Sequence, residues 1–478
     1  MADDLHPEWP DPLNGDNLGR PKTFFYALII VAFLLVDFVP RFFQGDSVSY
    51  LTTGHNGWIP PDRSWSFGFA VNYLLRHSHG YSAFILIQTI LLGGIIWATR
   101  LFFRDFRSWQ TLYAITAAVV CLDPVVEIYT RFFMTDFASF ACFMIFLLGL
   151  HSIVTRGSAI RTEMIGLMLA LAAGVAAVFL RVAYALIMEL TVVLIAAMWC
   201  LRLSARQWIE LALAASIPFV AVGLLLAANS LVFAQRFHGE VFATKLSGVF
   251  LAGVFAPALQ IADFRHAGLE VTPAEFQSLK LGDYDKRVTQ VWGQSPDDLQ
   301  QFLRDKLNVH EDYTAKVDHA ASALVESAFL RDPLSLAIVY ARSSELYLQP
   351  AEWHRMVYGE MGLSRPLPDD FVSMLNSYSV PKITPDITKV RSLLIRFYDF
   401  VSFAYPVQLG LGICAALLLL VRERRRPCVV VLSAGLLADL AAAPLYSNYL
   451  IARYVLAAIV ISYLLIGLAV LSLVRPRG

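Results

Sequence analysis

Residues 23–50 read TFFYALIIVAFLLVDFVPRFFQGDSVSY, and two features of that stretch decide how the chain is built. The run from 23 to 40 is apolar except for Asp37 near its end. At about 1.5 Å rise per helical residue, it approaches the roughly 20 residues that cross a bilayer core about 30 Å thick. A few residues beyond the helix exit stands a carboxylate, Asp46, among serines and aromatics. The preceding segment, MADDLHPEWPDPLNGDNLGRPK, is acidic and proline-bearing, and no small-residue cleavage site follows the apolar run. An uncleaved signal-anchor is therefore expected, not a signal peptide.

The same pattern recurs along the chain. The 478-residue chain is 57% hydrophobic and only 16% charged, with a mean hydropathy of +0.58, far too apolar for a soluble protein of this size. Apolar runs fall near residues 23–40, 81–99, 110–122, 136–154, 163–180, 182–201, 207–234, 403–421, 428–446 and 453–474. The expected architecture is an all-α polytopic membrane protein of about ten transmembrane helices. Formal net charge is zero, which removes the case for a broadly basic nucleic-acid binder. The five cysteines lie in or beside apolar runs and imply neither a disulfide framework nor a CxxC metal site.

Arginine placement orients the helices, because short cytoplasmic loops collect Lys and Arg. With the N-terminus inside, Arg20 and Lys22, the group Arg100, Arg104 and Arg107, Arg156 and Arg161, Arg202 and Arg206, the RERRR run at 422–426, and Arg475 and Arg477 share one side. Both termini are then expected in the cytoplasm, with residues 1–22 as a tail, 23–234 as a transmembrane core and 403–478 as C-terminal spans. The first loop, 41–80, the short loop around 123–135 and the segment 235–402 go outside. In that last segment Thr272-Pro273-Ala274-Glu275 and Ser295-Pro296-Asp297-Asp298 place a capping hydroxyl before a proline, with a carboxylate in the third helical position. Leu299, Phe302, Leu303 and Leu307 follow at helical spacing. Asp332-Pro333 starts a further helix, LSLAIVYARSSELYL, apolar enough to lie on the membrane surface. Residues 235–402 thus read as a small helical outer domain with an interfacial helix.

An ionised side chain at membrane depth costs about 2.5–3.5 kcal/mol on insertion scales, so each one asks for a reason. Asp37, Asp46, Asp123, Glu127, Arg131, Asp136, Arg181, Asp399, Arg453 and Tyr454 all fall at or near outer helix ends, so any site faces outward. A first span followed by GDSVSYL and then PPDRSWSFGFAVNYLL resembles the GT-C glycosyltransferases, polytopic enzymes that use polyprenyl-phosphate-linked sugars as donors. Asp46, Tyr50 and Arg63 fill the family's first-loop positions. Asp136 in RFFMTDFASF matches its second acidic position, and Arg453 in YLIARYVLAA its final-helix arginine. The resemblance covers the spans and outer loops of roughly the first 240 residues and, more weakly, the last two helices. It does not extend to the outer domain. Many relatives carry two successive acids in the first loop where this chain has one, which weakens a metal assignment.

The resemblance implies an inverting sugar transfer on the outer, periplasmic face of a bacterial inner membrane, with a lipid, glycan or protein as acceptor. Such a reaction needs a base for the acceptor proton and cationic groups for the leaving phosphate. Asp46 is expected as the base, with helix capping as the plainer alternative. Asp136 is expected to assist, although capping the fourth span explains it equally well. Arg181 and Arg453 are expected at the phosphate, against simple snorkelling, and Tyr454 at the sugar, against a place in the interfacial aromatic belt. Glu127, Arg131, Arg63 and Tyr50 complete the expected binding set. His55, His77 and His79 crowd the first loop without metal-ligand spacing on one helix face, so no cofactor is expected, and a divalent metal stays open without residues that support it. Neither GxxxxGK[ST] nor GxGxxG points to a nucleotide. The rival reading from another class is a transporter or lipid flippase, since polar residues inside spans also line translocation pathways. A third is a non-catalytic scaffold, which would tolerate loss of Asp46.

Overall fold

The computed structural model describes residues 37–474 except 44, 61–62, 79, 105, 107–108, 156–159, 236–246, 285–286, 288–289, 291–297, 310–314, 361–365, 379–381 and 447–449. Most of the first span, the Ser295 capping motif and the terminal basic residues therefore lie outside the described residues. Nine of the ten apolar runs coincide with helices, from Tyr81–Thr99 through Leu456–Val474. Among the described residues, seven helical segments are long and apolar enough to cross a membrane, the first Tyr81–Phe102 and the last Ala452–Val474. Trp109–Leu122 has only 14 residues, about 21 Å of helix, too short to cross alone. It breaks at Asp123, whose carboxylate accepts from the amides of Val125 and Val126 and starts the short helix Pro124–Tyr129.

The central helix Asp136–Val154 is buried along nearly its whole length. Around it, outward-facing residues such as Ile90, Phe219 and Val407 are apolar and exposed, as helices bathed in lipid require. Arg202 donates to the carbonyl of Arg424 at 2.9 Å, Arg422 to that of Ser472 at 3.1 Å, and the Arg426 guanidinium lies 4.1 Å from the Phe106 ring centroid. The arginine-rich turns at 202 and 422–426 thus gather at one end of the bundle, and the acids of interest lie at the other.

At that other end the first loop folds into a helical hairpin, Asp46–Asn56 and Trp65–Ser78. The two helices touch backbone to backbone. A Cβ on Gly68 would sit 2.4 Å from the carbonyl oxygen of Tyr50, and one on Gly54 2.4 Å from that of Gly68. Only glycine permits this approach. Replacing Gly68 by Leu is expected to prise the hairpin apart at a cost of about 1–3 kcal/mol. Limited proteolysis of the loop in detergent checks it, with accelerated cleavage between residues 41 and 80 as the expected result.

The segment 235–402 differs from the single outer domain expected. Its first part has a separate core of Val249, Ala252, Phe264, Leu299, Leu303, Leu324 and their neighbours. The Thr272 capping box forms there as read, with the Thr272 side chain accepting from the Glu275 amide, and Asp332 caps Pro333–Glu345. The later residues Tyr347, Trp353, Met356, Phe371, Leu375 and Tyr398 instead pack into the core of the bundle itself. The division follows from composition: aromatic side chains in the second part reach down between the spans. Trp353 stacks on Tyr405 at 4.8 Å between centroids, and the Tyr81 hydroxyl donates to the Leu375 carbonyl at 2.7 Å. Helix Pro350–Glu360 is thereby pressed against the ends of the spans.

Candidate active site

Asp46 stands in the first turn of its helix, but it does not cap it. Gly45 is the cap residue and no side-chain bond closes that end. The carboxylate instead faces two guanidinium groups. Arg63 Nη1 meets Oδ1 at 2.7 Å, and Arg453 Nη1 meets Oδ2 at 2.7 Å. Burial by itself would raise this carboxyl, but Arg63, Arg453 and Arg181 overcome that and hold it at about 2. The group is ionised throughout the physiological range. The folded hairpin brings Arg63 and Asp46 together, and only the tertiary fold adds Arg453 from the far end of the chain.

Asp136 likewise makes no capping bond. It forms an ion pair with Arg181, which lies between the helices Ile160–Leu180 and Tyr184–Trp199. The two pairs meet on one ring. Arg181 lies 4.4 Å and Arg453 5.5 Å from the centroid of Tyr454. The Tyr50 hydroxyl shares a 3.1 Å hydrogen bond with Thr135 Oγ1, next to Asp136 in the chain. Arg453 also lies over Phe43 at 4.9 Å and within 3.4 Å of Met134 Sδ. Six of the expected residues, Asp46, Arg63, Asp136, Arg181, Arg453 and Tyr454, therefore belong to one linked set, with Tyr50 at its edge.

Glu127 and Arg131 are placed differently. They pair at 2.6 Å with both side chains fully buried, and Arg131 also donates to the carbonyl of Asp37 at 2.9 Å. Asp37 in turn binds Arg41 at 3.2 Å and accepts from the Ser392 hydroxyl, while the Arg41 amide donates to the Arg131 carbonyl at 2.8 Å. These four charges form a lattice that staples residues 37–41 to 127–131. Full enclosure of Glu127 and Arg131 suits support of the site more than contact with a ligand. Asp439, buried in its span, accepts from the Ala458 amide at 2.7 Å.

One acid in the set has no counterpart among the residues singled out from sequence. Glu360, at the end of the helix Pro350–Glu360, accepts a hydrogen bond from the Tyr129 hydroxyl and lies 3.9 Å from Arg453 Nε through its other oxygen. Its side chain is 4% exposed. The signal available in sequence is slight: a glutamate in PAEWHRMVYGE looks like any exposed helical charge until Trp353 is known to be buried. His55 bonds Tyr378 at 3.1 Å and His354 bonds Ser402 at 3.2 Å, and neither joins the arginine cluster. Among the described residues no group of three His, Cys, Asp or Glu side chains is arranged to hold a metal ion.

Three arginines and three carboxylates thus converge at the end of the spans, where a lipid headgroup would lie. Such a cluster can accept an added anion if the ion pairs rearrange, and it offers carboxylates able to take a proton. No protein-family model matches the sequence, and no curated protein matches it. Among solved structures the chain is similar to ArnT from Cupriavidus metallidurans in the apo state, with 14% identity, a TM-score of 0.33, and coverage of 93% of this chain and 77% of that one. It is similar also to ArnT bound to undecaprenyl phosphate, with 14% identity, a TM-score of 0.32, and coverage of 89% and 76%.

Proposed function

We propose that this protein is a GT-C-like glycosyltransferase that moves a sugar from a polyprenyl-phosphate-linked donor to an acceptor at the outer, periplasmic face of a bacterial inner membrane. The observation that carries the reading is the convergence of Asp46 with Arg63 and Arg453, and of Asp136 with Arg181, around Tyr454. A prenyl tail keeps the donor phosphate at headgroup height, so base and phosphate ligands must share one membrane surface. Here they share one end of the bundle.

In the proposed reaction the acceptor hydroxyl or amine attacks C1 of the donor sugar. The bond from C1 to the phosphate oxygen breaks, and polyprenyl phosphate leaves with the electron pair. Asp46 takes the acceptor proton. Arg181 and Arg453 receive the charge that grows on the phosphate, a role in which guanidinium groups are worth most in a water-poor site. Attack from the side opposite the phosphate inverts the anomeric centre. The acceptor is a lipid, a glycan or a protein, and the transferred group a hexose or pentose.

The test uses purified protein, a radiolabelled polyprenyl-phosphate sugar and membrane extract as acceptor. Transfer with release of polyprenyl phosphate is expected from the wild type. Replacing Arg181 and Arg453 together by Met is expected to weaken binding of the polyprenyl phosphate by about 100-fold, two charged hydrogen-bonding groups at about 1.5 kcal/mol or more each. Movement of intact donor across proteoliposomes without release of polyprenyl phosphate would instead identify a transporter.

A further inference from the structure

Asp46 poses a difficulty for the reaction just proposed, and the surrounding geometry supplies a way out of it. A carboxylate gripped by two guanidinium groups is a poor base, because catalytic efficiency requires a proton affinity nearer the working pH. To take a proton Asp46 must shed one of its partners. Arg63 comes from the same hairpin as Asp46 and stays with it. Arg453 sits between two acids, 2.7 Å from Asp46 on one side and 3.9 Å from Glu360 on the other.

We infer that Glu360 is a positioning residue that draws Arg453 away from Asp46 when the donor phosphate binds, so that Asp46 becomes an effective base only in the loaded site. The inference rests on the glycosyltransferase reading. A movement of about 1 Å closes the longer gap to the length of a charge-assisted hydrogen bond. Glu360 Oε1 is buried and accepts no hydrogen bond among the described residues, so that oxygen is open to receive the Arg453 Nε proton. The other oxygen is already fixed by the Tyr129 hydroxyl, which aims the carboxylate. The helix bearing Glu360 is anchored from beneath: Trp353 donates to the Tyr347 carbonyl at 3.0 Å, and the Ala452 amide, next to Arg453, lies 3.1 Å from Met356 Sδ. The segments that carry Arg453 and Glu360 are thus in direct contact.

The balance of charge favours the exchange. The cluster sets Asp46, Asp136 and Glu360 against Arg63, Arg181 and Arg453. An incoming phosphate adds negative charge beside Arg181 and Arg453 and leaves Asp46 with Arg63 alone, so its proton affinity must rise. The groups facing Glu360 are Arg453, Tyr129, Arg181, Asp46, Tyr347 and Tyr398. Burial raises the Glu360 carboxyl, with Arg453, Tyr129 and Arg181 opposing and Asp46 adding to the rise. A carboxyl so placed gains by drawing a cation closer.

Carbodiimide attacks protonated carboxyls, so its labelling of Asp46, read by peptide mass spectrometry at about pH 6, reports that proton affinity directly. In wild-type protein, adding undecaprenyl phosphate is expected to raise labelling of Asp46 by about tenfold, as a pKa higher by about one would give in a carboxyl protonated only in trace. In Glu360→Gln it is expected to raise labelling less than about twofold, with turnover of labelled donor reduced about tenfold and lipid-phosphate binding retained. Labelling that rises equally in both proteins, or in neither, overturns the inference while leaving the proposed function intact. Failure of the wild type to bind the lipid phosphate or transfer sugar overturns the proposed function itself. If Glu360→Gln does not fold, Tyr129→Phe decides: without the hydroxyl that aims Glu360, the lipid-induced rise in Asp46 labelling is expected to fall below about twofold, and a rise equal to that of the wild type overturns the inference.

Discussion

Asp46→Asn is expected to lower sugar transfer by about 10²–10⁴-fold, the range that a positioned general base contributes, while the protein still reaches the membrane in normal amount. Asp46 makes no capping bond, so its loss costs the helix only the first-turn charge, about 0.3–1 kcal/mol. Asn keeps the shape and one acceptor oxygen for Arg63 or Arg453. Removing the negative charge leaves both arginines less compensated, so affinity for the lipid phosphate is expected to hold or to increase. Turnover and donor binding should therefore part company: single-turnover transfer collapses while undecaprenyl phosphate still binds. An Asp46→Asn protein that transfers sugar at the normal rate removes the base from the mechanism. One that loses lipid binding in parallel would make the aspartate a structural member of the arginine cluster.

Arg131→Met is expected to be the most destabilising of the charge deletions, by about 3–5 kcal/mol, because it leaves a buried carboxylate without its partner. Glu127 and Arg131 are both fully buried, and the arginine additionally holds the carbonyl of Asp37. Arg131→Met with Glu127→Leu should recover part of the loss, since an apolar pair of similar volume removes both desolvation penalties. Recovery should stay incomplete because the Asp37 carbonyl still lacks its donor. Thermal unfolding in detergent measures the order: wild type most stable, the double variant between, Arg131→Met least. If Arg131→Met is as stable as wild type and instead loses donor affinity, Arg131 binds substrate, as its place in an outer loop suggests from sequence.

The contrast between these two arginine-linked acids shows what linear reading can and cannot reach. Asp46 and Glu127 both appear as loop carboxylates near a helix end, each with an arginine close in sequence. One side chain reaches a polar cluster where several helices end, and the other is sealed inside. Burial depends on what the rest of the chain packs above a residue, and the aromatic-rich part of 346–402 does that packing. The same segment supplies Glu360. Its pairing with Arg453 joins residues far apart in the chain, and no local propensity or spacing encodes it. The outer segment splits into two cores for the same reason: helices can be read from caps and periodicity, but not which core their apolar faces will join.

Residue order alone specifies the all-helical membrane architecture, the positions of nine described helices, the caps at Thr272 and Asp332, and the concentration of acids at one set of helix ends. Those properties follow from runs of apolar residues, from helical period and from the cost of charge in lipid, all local or additive along the chain. Packing between remote segments is what makes Arg63 and Arg453 grip one carboxylate, brings Arg181 and Arg453 to the Tyr454 ring, and encloses Glu127 and Arg131. Ion-pair choice is set by distances of a few ångströms between segments remote in sequence, and between about 3 Å and about 4 Å the Coulomb and hydrogen-bond energies change enough to select the partner.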